Sequence, residues 1–289
     1  MADIANPGFQ RAASEFLGRF GLRAGPSPGT AALKELYSAF SRLPYENVSK
    51  IISFRDSGGA PSPEKALRDE TRVIEGFLEH RLGGTCFSLT NALACLLETC
   101  GFDCYRVLGD MRHGKNIHCA VVVRLGAEKY LCDSGYLLPE PLVLKPGGKS
   151  TLYGQLYTYL LQADSPGRRS REKTYSLHTV SPGQQQARWR YRITDRPVGR
   201  ELFTHYWKLT FSAPMNRHLL LTRNSEQGQI YIHKHKLRLT GSRGHRNSNI
   251  RLCAPERIEE LFEIDRAMAA QALELIEAER RTEASSQPE

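Results

Sequence analysis

A cysteine, a histidine and an aspartate follow one another in this chain in an order that suits nucleophilic catalysis. Cys86 comes directly after the Gly83-Gly84-Thr85 turn and begins a helical pattern. A thiol attacks only as its thiolate, and the unpaired N–H groups and macrodipole at a helix start lower its pKa. The two glycines allow a tight turn and close approach of a substrate to peptide N–H groups that could hold an oxyanion. We therefore predict that Cys86 is the nucleophile.

His118 and Asp133 are candidates for the base and for the group that orients it. His118 lies early in a predicted strand over residues 117–125, and Asp133 lies at the end of the next one, over 128–134. A hairpin turn at the Gly-Ala pair between them would place the two side chains nearly opposite each other. A carboxylate there can hold the imidazole by its second nitrogen, which gives a triad of nucleophile, base and orienting acid.

Each of these residues also has an ordinary structural interpretation. A cysteine beside glycines is often a small packing residue, and His118 is also explained as a half-buried histidine with its hydrogen bonds satisfied. Asp133 precedes a Ser-Gly pair, and an aspartate in that position commonly begins a turn.

The elements that must position the triad change from helices to strands along the chain. Apolar residues at helical spacing predict helices over 9–20, from Thr30 as N-cap to Pro44, from Ser62-Pro63 to His80, and from Cys86 to Cys100. Strands are predicted at 103–109, 117–125 and 128–134, then at about 205–212, 217–223, 229–234 and 236–241, before a final helix at 255–280. The polar stretch 163–187 is predicted to be a long loop or a domain joint. Helices followed by strands indicate an α+β fold.

The composition is that of a globular protein. The chain has 289 residues, of which 40% are hydrophobic and 25% charged, and this is enough to bury a core. It contains no apolar run long enough to cross a membrane, and its first residues do not resemble a signal peptide. Seven cysteines without a CxxC pair favour free thiols over disulfides or a zinc site. We therefore expect a cytoplasmic protein that needs no metal and has no membrane partner.

The net charge of +9 is concentrated in the later part of the chain. Basic clusters occur at GRRSREK (167–173), RWRYR (188–192), HKHKLR (233–238) and RGHR (243–246). Such charge suits nucleic acid, a membrane surface or an anionic small molecule. No motif of a nucleic-acid-binding fold accompanies it, so we expect no nucleic-acid partner.

Several segments together resemble the arylamine N-acetyltransferases. They occur in the family's order along most of the chain and are FLGRFGL, SRLPYENVSK (41–50), RLGGTCFSLTNALACLLETCGFD (81–103), NIHCAVVVRLGAEKYLCDSGY (116–136) and HLLLTRNSEQGQIYIHKHKLRL. The resemblance implies an N-terminal helical bundle (1–101), a central antiparallel β-barrel (102–200) and a C-terminal α/β lid (201–289), with a triad arranged as in cysteine proteases.

The resemblance also implies an activity. Acetyl-CoA, or another acyl-CoA, would donate its acyl group to Cys86, and the resulting thioester would pass it to an arylamine, arylhydrazine or related amine. His118 would be the base and Asp133 the orienting carboxylate, as the residues themselves suggest. Tyr45 and Tyr136 match positions where the family usually has phenylalanine lining the acceptor pocket, although both could be ordinary core aromatics. The residues that contact CoA, the acceptor and the oligomeric state stay open.

The chain departs from the family pattern at three places. The usual Arg-Gly-Gly before the cysteine has Leu82 in place of arginine, and Arg81 lies one position earlier. In the family that arginine pairs with the glutamate matched here by Glu46, so it is open whether Arg81 reaches it. Ser88 replaces an acidic or amide residue, and Leu137 replaces a glycine next to the acceptor pocket.

Three other interpretations stay open at this stage. A Cys-His-Asp triad also serves a cysteine amidase, a transglutaminase-like enzyme or an amide synthase. The basic clusters, with aromatic residues among them, would suit a nucleic-acid-binding protein. The departures from the family pattern would also suit a non-catalytic ligand-binding module.

Overall fold

A computed structural model describes residues 6–23, 28–58, 63–165 and 172–285. Its α-helices are α1 (Pro7–Arg19), α2 (Thr30–Phe40), α3 (Val48–Asp56), α4 (Pro63–Ala66), α5 (Glu70–His80), α6 (Cys86–Thr99), α7 (Arg200–Leu209), α8 (Ala254–Phe262) and α9 (Arg266–Ser285). Its strands are β1 (Tyr45–Glu46), β2 (Asp103–Met111), β3 (Gly114–Leu125), β4 (Glu128–Cys132), β5 (Leu142–Val143), β6 (Lys149–Tyr153), β7 (Thr158–Ala163), β8 (Thr174–Val180), β9 (Arg188–Thr194), β10 (Leu220–Ser225), β11 (Gly228–His233), β12 (Lys236–Gly241) and β13 (Gly244–Asn249).

The N-terminal helices pack around α6, the helix that begins with Cys86. The apolar stripe of α1 turns inward, and the ring of Phe16 lies 6.3 Å from Phe40 and 5.9 Å from Phe77. Alanine, leucine and phenylalanine occur on several sides of α6, and nine of its residues are buried. A helix packed on all sides holds its first residue in a defined place, which a nucleophile requires.

Eight antiparallel strands form a barrel that nearly closes. Their order is β5-β4-β3-β2-β9-β8-β7-β6, and the Ser150 hydroxyl at one end donates to the Val143 carbonyl at the other, at 2.6 Å. β3 is fully buried from His118 to Val123 and packs against α6. The helices and the barrel share one hydrophobic core across residue 101, the predicted boundary between the first two domains. The division into three domains therefore stays a prediction.

A second sheet, of order β1-β10-β11-β12-β13, forms the C-terminal layer together with α3, α8 and α9. Its edge strand β1 comes from the N-terminal half, and Tyr45 pairs with Thr222 and Glu46 with Leu221. The two halves of the chain are therefore joined within one sheet, directly beside the turn that precedes Cys86. This arrangement of helices, barrel and C-terminal α/β layer confirms the predicted fold class.

Several element predictions were wrong. Residues 205–212 are not a strand: α7 and a short 3-10 turn occupy 200–212, because Phe203, Trp207 and Phe211 recur at helical spacing and are buried together. The polar stretch 163–187 contains β8, in which Tyr175 and Leu177 face the core.

Helix ends also differ from the prediction. The helix over 63–80 is two helices, since Asp69 caps α5 through the Arg72 N–H. The final helix is also two, separated at Glu263 with φ of +63°. Gly29, rather than Thr30, is the N-cap of α2, and Ser62 lies outside the described residues.

Within the described ranges, no helix is long and apolar enough to cross a membrane.

Candidate active site

The turn before Cys86 is fixed by contact between its glycines and the chain near Tyr45. The Glu46 N–H donates to the Gly84 carbonyl at 3.0 Å, and the Gly84 N–H donates to the Pro44 carbonyl at 3.3 Å. A Cβ on Gly83 would lie only 1.8 Å from the Pro44 oxygen, so no residue other than glycine fits there. The sequence predicted a tight turn here, and its physical reason is the close approach of two backbone segments.

His118 and Asp133 are joined by a short hydrogen bond. The His118 Nε2 lies 2.7 Å from the Asp133 Oδ2, and both side chains are buried. The register pairs Val121 with Cys132, so Asp133, one residue beyond the strand, lies diagonal to His118 on the same face. The other carboxylate oxygen of Asp133 accepts the Tyr136 N–H at 2.8 Å, which fixes the carboxylate on both sides.

The sulfur of Cys86 lies in an environment that favours the thiolate. It is 3.9 Å from the Ile117 carbonyl oxygen. Hydrogen bonding from Cys119 lowers the pKa of Cys86 most; burial opposes this, but the hydrogen bond and charge of His118 lower the pKa further, to about 5. Burial lowers the pKa of His118, yet Asp133 and the Cys86 thiolate raise it to about 10. Between these values the pair exists as thiolate and imidazolium.

The structure brings both predicted acceptor-pocket tyrosines to this site. Tyr45 pairs with Gly84, two residues before Cys86, and burial followed by the charge of Cys86 raises the pKa of Tyr45. Tyr136 is half-buried, with its ring 5.4 Å from that of Tyr191. A Cβ on Gly135 would lie 2.7 Å from the Cys86 Cβ, so the segment that carries Tyr136 packs directly on the nucleophile. The acceptor-binding role of the two tyrosines stays a prediction.

Arg68, which the sequence did not single out, is the cation beside Glu46. Its Nη1 lies 3.8 Å from the Glu46 Oε1 and donates to the Gly83 carbonyl at 2.7 Å. Arg81 points elsewhere: it ends α5 with φ of +57°, and its guanidinium lies 5.5 Å from the centre of the Phe77 ring. Glu46 is fully buried and needs a cation beside it. The sequence shows neither this burial nor which arginine reaches Glu46.

Lys50 is a second functional candidate that the sequence did not reveal. Only 6% of it is exposed, and its ammonium donates to the carbonyl and hydroxyl oxygens of Thr210 at 2.9 and 2.7 Å. Burial lowers its pKa to about 8, while the charge of Cys86 raises it. No carboxylate among the described residues forms an ion pair with it within 4.0 Å. Its position in the PYENVSK segment gave no sign of burial.

The departures at Ser88 and Leu137 are accommodated locally. The Ser88 hydroxyl donates to the Thr85 carbonyl at 3.0 Å and so stays within its own helix turn. Leu137 takes a left-handed conformation with φ of +58°, the region that glycine adopts most readily, and its side chain is buried. Neither residue separates the three members of the candidate triad.

Comparisons with known proteins agree with this architecture. A family model described as N-acetyltransferase matches residues 31–266. The chain is 26% identical over 218 residues to a curated Salmonella typhimurium protein named arylamine N-acetyltransferase / N-hydroxyarylamine O-acetyltransferase, covering 70% of this chain and 69% of that one. A solved arylamine N-acetyltransferase from Nocardia farcinica has a TM-score of 0.72 at 21% identity, over 92% of this chain and 94% of that one. One from Salmonella typhimurium has a TM-score of 0.72 at 18% identity, over 93% and 98%. The likeness to the solved structures shows the shared fold.

Proposed function

Because this chain belongs to the arylamine N-acetyltransferase family, we propose that it transfers an acetyl group from acetyl-CoA to an aromatic amine through a thioester on Cys86. The observation that carries this proposal is the buried His118–Asp133 pair beside the partly exposed Cys86. A thiolate held beside an imidazolium, itself held by a carboxylate 2.7 Å away, is suited to acyl transfer. We include arylhydrazines and related amines as acceptors, because each also presents a nucleophilic NH2 group.

In the first half-reaction the Cys86 thiolate attacks the thioester carbonyl of acetyl-CoA. A bond forms between the Cys86 sulfur and the carbonyl carbon, and the carbon–sulfur bond to CoA breaks. The departing CoA sulfur takes the proton of the His118 imidazolium, so His118 becomes neutral. Backbone N–H groups at the start of α6 are suited to hold the oxyanion of the tetrahedral intermediate.

In the second half-reaction the amine nitrogen attacks the acetyl-Cys86 carbonyl. Neutral His118 accepts the amine proton, the bond between carbon and sulfur breaks, and Cys86 leaves as the thiolate. The imidazolium and thiolate are thereby restored. Asp133 keeps His118 in one orientation through both steps, since its second oxygen is fixed by the Tyr136 N–H.

Tyr45 and Tyr136 are suited to contact the aromatic ring of the acceptor. Both lie beside Cys86, and neither hydroxyl readily ionises there, because burial raises the pKa of each. A neutral aromatic wall excludes water from the thioester, and hydrolysis would otherwise compete with transfer. We place the reaction in the cytoplasm, a reducing compartment, since all seven cysteines are free thiols.

The test is the intact-protein mass after brief mixing with acetyl-CoA and no amine. We expect the wild type to gain one acetyl group and Cys86→Ala to gain none. Cys253→Ala is the matched control, because Cys253 is also a partly exposed free cysteine but lies in the C-terminal layer, and it should gain the group as the wild type does. A folded wild type that gains no mass would contradict the proposal. An adduct lost to water as fast as to amine would identify a hydrolase instead.

A further inference from the structure

A second thiol lies beside the candidate nucleophile. Cys119 follows His118 on β3 and is fully buried in a cluster of side chains against which Cys86 also packs. The two half-reactions of acetyl transfer leave this thiol unchanged. A buried thiol next to a nucleophilic one has a chemistry of its own, because oxidation can join two such sulfurs.

The contacts of Cys119 place its sulfur against the same face of α6 as Cys86. Its Sγ lies 3.4 Å from the Thr90 Oγ1, and the Thr90 hydroxyl donates to the Cys119 carbonyl at 3.2 Å. Thr90 is four residues after Cys86 on α6, so the two side chains are neighbours on the helix surface, with Cβ atoms about 5–6 Å apart. Cys119 is therefore held within one helical turn of the nucleophile.

The contacts of Cys86 bring the two sulfurs together from the other side. The Cys86 Sγ lies 3.9 Å from the carbonyl oxygen of Ile117, two residues before Cys119 on β3. The Cys119 thiol forms a hydrogen bond with the Cys86 sulfur, and this contact is the largest cause of the lowered pKa of Cys86. Sulfur atoms in hydrogen-bonding contact reach the disulfide separation of about 2 Å by side-chain rotation.

The two thiols differ in the way that a peroxide-sensitive pair requires. Cys86 is partly exposed, and its pKa of about 5 keeps it as the thiolate, the form that attacks a peroxide. Burial raises the pKa of Cys119, so this thiol stays protonated and does not react with peroxide itself. The charge of the Cys86 thiolate also raises the pKa of Cys119, and oxidation of Cys86 to a neutral sulfenic acid removes that charge. Cys119 then loses its proton more easily and can attack the oxidised sulfur.

A second pair of cysteines lacks this difference. The Cys104 thiol donates to the carbonyl of Ala94 at 3.6 Å, which places it beside Cys95. Burial raises the pKa of each of these two thiols to about 12, so neither is a thiolate at neutral pH. Cys95 and Cys104 therefore provide an internal comparison, a pair of neighbouring thiols without a reactive member.

We propose that Cys86 and Cys119 form a reversible disulfide when a hydroperoxide reaches the site, with Cys119 as the resolving cysteine. The Cys86 thiolate attacks a peroxide oxygen: a sulfur–oxygen bond forms, the oxygen–oxygen bond breaks, and the leaving alkoxide or hydroxide takes the proton of the His118 imidazolium. Cys86 is oxidised by two electrons to the sulfenic acid, and the peroxide is reduced. The Cys119 sulfur then attacks the Cys86 sulfur, a sulfur–sulfur bond forms, and the hydroxyl leaves with the Cys119 proton as water.

The disulfide has two consequences for the nucleophile. It blocks acyl transfer, because the Cys86 sulfur can no longer attack a thioester, and it protects Cys86 from irreversible oxidation to the sulfinic acid. An external dithiol restores both thiols by exchange. This chemistry uses only the two sulfurs and His118, so it does not depend on the proposed acetyl transfer.

The test treats the full chain with a small excess of hydrogen peroxide at about pH 7 and measures the intact mass and the linked peptides. Chymotrypsin cuts after Phe87 and so separates Cys86 from the later cysteines of α6. We expect the wild type to lose about 2 Da, with Cys86 linked to Cys119 and with Cys95 and Cys104 still reduced. Iodoacetamide labelling of the Cys86 peptide should fall at least about tenfold and return after dithiothreitol. A protein that transfers no acetyl group still gives this result, so failure of the proposed function is seen separately.

Cys119→Ser removes only the resolving thiol, and its hydroxyl can keep the contact with Thr90. In this variant Cys86 should instead gain about 32 Da as the sulfinic acid, which dithiothreitol does not reverse. Cys253→Ser is the matched control, because Cys253 is a free cysteine in the C-terminal layer, and it should form the disulfide as the wild type does.

The linked peptide of the wild type decides the proposal even if Cys119→Ser does not fold. A wild type in which Cys86 gains oxygen while Cys119 stays reduced, links to a different cysteine or does not react would overturn it. A folded Cys119→Ser protein whose loss of labelling is fully reversed by dithiothreitol would also overturn it.

Discussion

Arg68 reaches Glu46 from the break between α4 and α5, and its Nη1 lies 3.8 Å from the Glu46 Oε1. The same nitrogen donates to the Gly83 carbonyl, three residues before Cys86. One buried side chain thus neutralises Glu46 and holds the turn that sets the position of the nucleophile. An arginine distant in sequence provides the cation that the family pattern places directly before the two glycines.

We expect Arg68→Met to lower the free energy of unfolding by about 3 kcal/mol, because it leaves the buried Glu46 without a cation and the Gly83 carbonyl without its hydrogen-bond donor. Cys86 should also react more slowly with iodoacetamide in the folded variant, since its turn is no longer held. Arg72→Met is the control, as Arg72 is exposed and lies one turn further on. Chemical denaturation of Arg68→Met and Arg72→Met measures the loss of stability. Denaturation of Arg68→Met/Glu46→Gln measures the coupling between the two residues. Additive effects of Arg68 and Glu46 would show that the pair is not coupled.

The pKa values of the site predict a broad plateau in thiol reactivity. Cys86 has a pKa of about 5 and His118 of about 10, so the thiolate–imidazolium pair persists between them. The rate of Cys86 alkylation should be flat from about pH 6 to pH 9 and fall as the pH drops through 5. In Cys119→Ala the midpoint should move upward, because the thiolate loses its largest stabilising hydrogen bond. Alkylation rates against pH measure this, and a midpoint near the ordinary value for cysteine in the wild type would contradict it.

The lowered pKa of Lys50 predicts that the free energy of unfolding depends on pH. Its pKa is lowered from 10.5 to about 8 in the fold, so the unfolded chain binds more protons between these values. The contribution of Lys50 to stability is therefore unfavourable below pH 8 and becomes less so as the pH rises toward 10.5. Relative to Lys50→Met, the wild type should gain up to about 3 kcal/mol of unfolding free energy over that range. Denaturation curves for both proteins at pH 7, 8, 9 and about 10 test this, and a constant difference would refute it.

The sequence predicted the members of the candidate triad because each depends on local signals. Cys86 follows a glycine turn at a helix start, and His118 and Asp133 lie on two strands of one hairpin. Helix caps and hairpin turns are short-range features, so a pattern of neighbouring residues is enough to locate them. The sequence placed His118 and Asp133 nearly opposite each other, and the structure places them one diagonal step apart on neighbouring strands.

The contacts that tune the site could not be predicted in this way. Arg68 and Lys50 contact partners at Glu46 and Thr210, which lie 22 and 160 residues away along the chain. In the sequence both are ordinary charged residues with no sign of burial. The error at α7 has a different cause: a strand was predicted at 205–212, although Phe203, Trp207 and Phe211 recur at helical spacing and pack together.

Gly135, in the segment between β4 and β5, offers a sharp test of how closely that segment supports the nucleophile. Its Cα lies so near Cys86 that an added Cβ would be 2.7 Å from the Cys86 Cβ and 2.9 Å from its Cα. The start of α6 is packed and cannot yield without moving the sulfur. We expect Gly135→Ala to lower acetylation of Cys86 by about 100-fold, the cost of a displacement of about 1 Å in a reacting group. Gly18→Ala is the control, because a Cβ at exposed Gly18 meets nothing within 4 Å. A Gly135→Ala protein acetylated at the wild-type rate would show that this contact does not position the thiol.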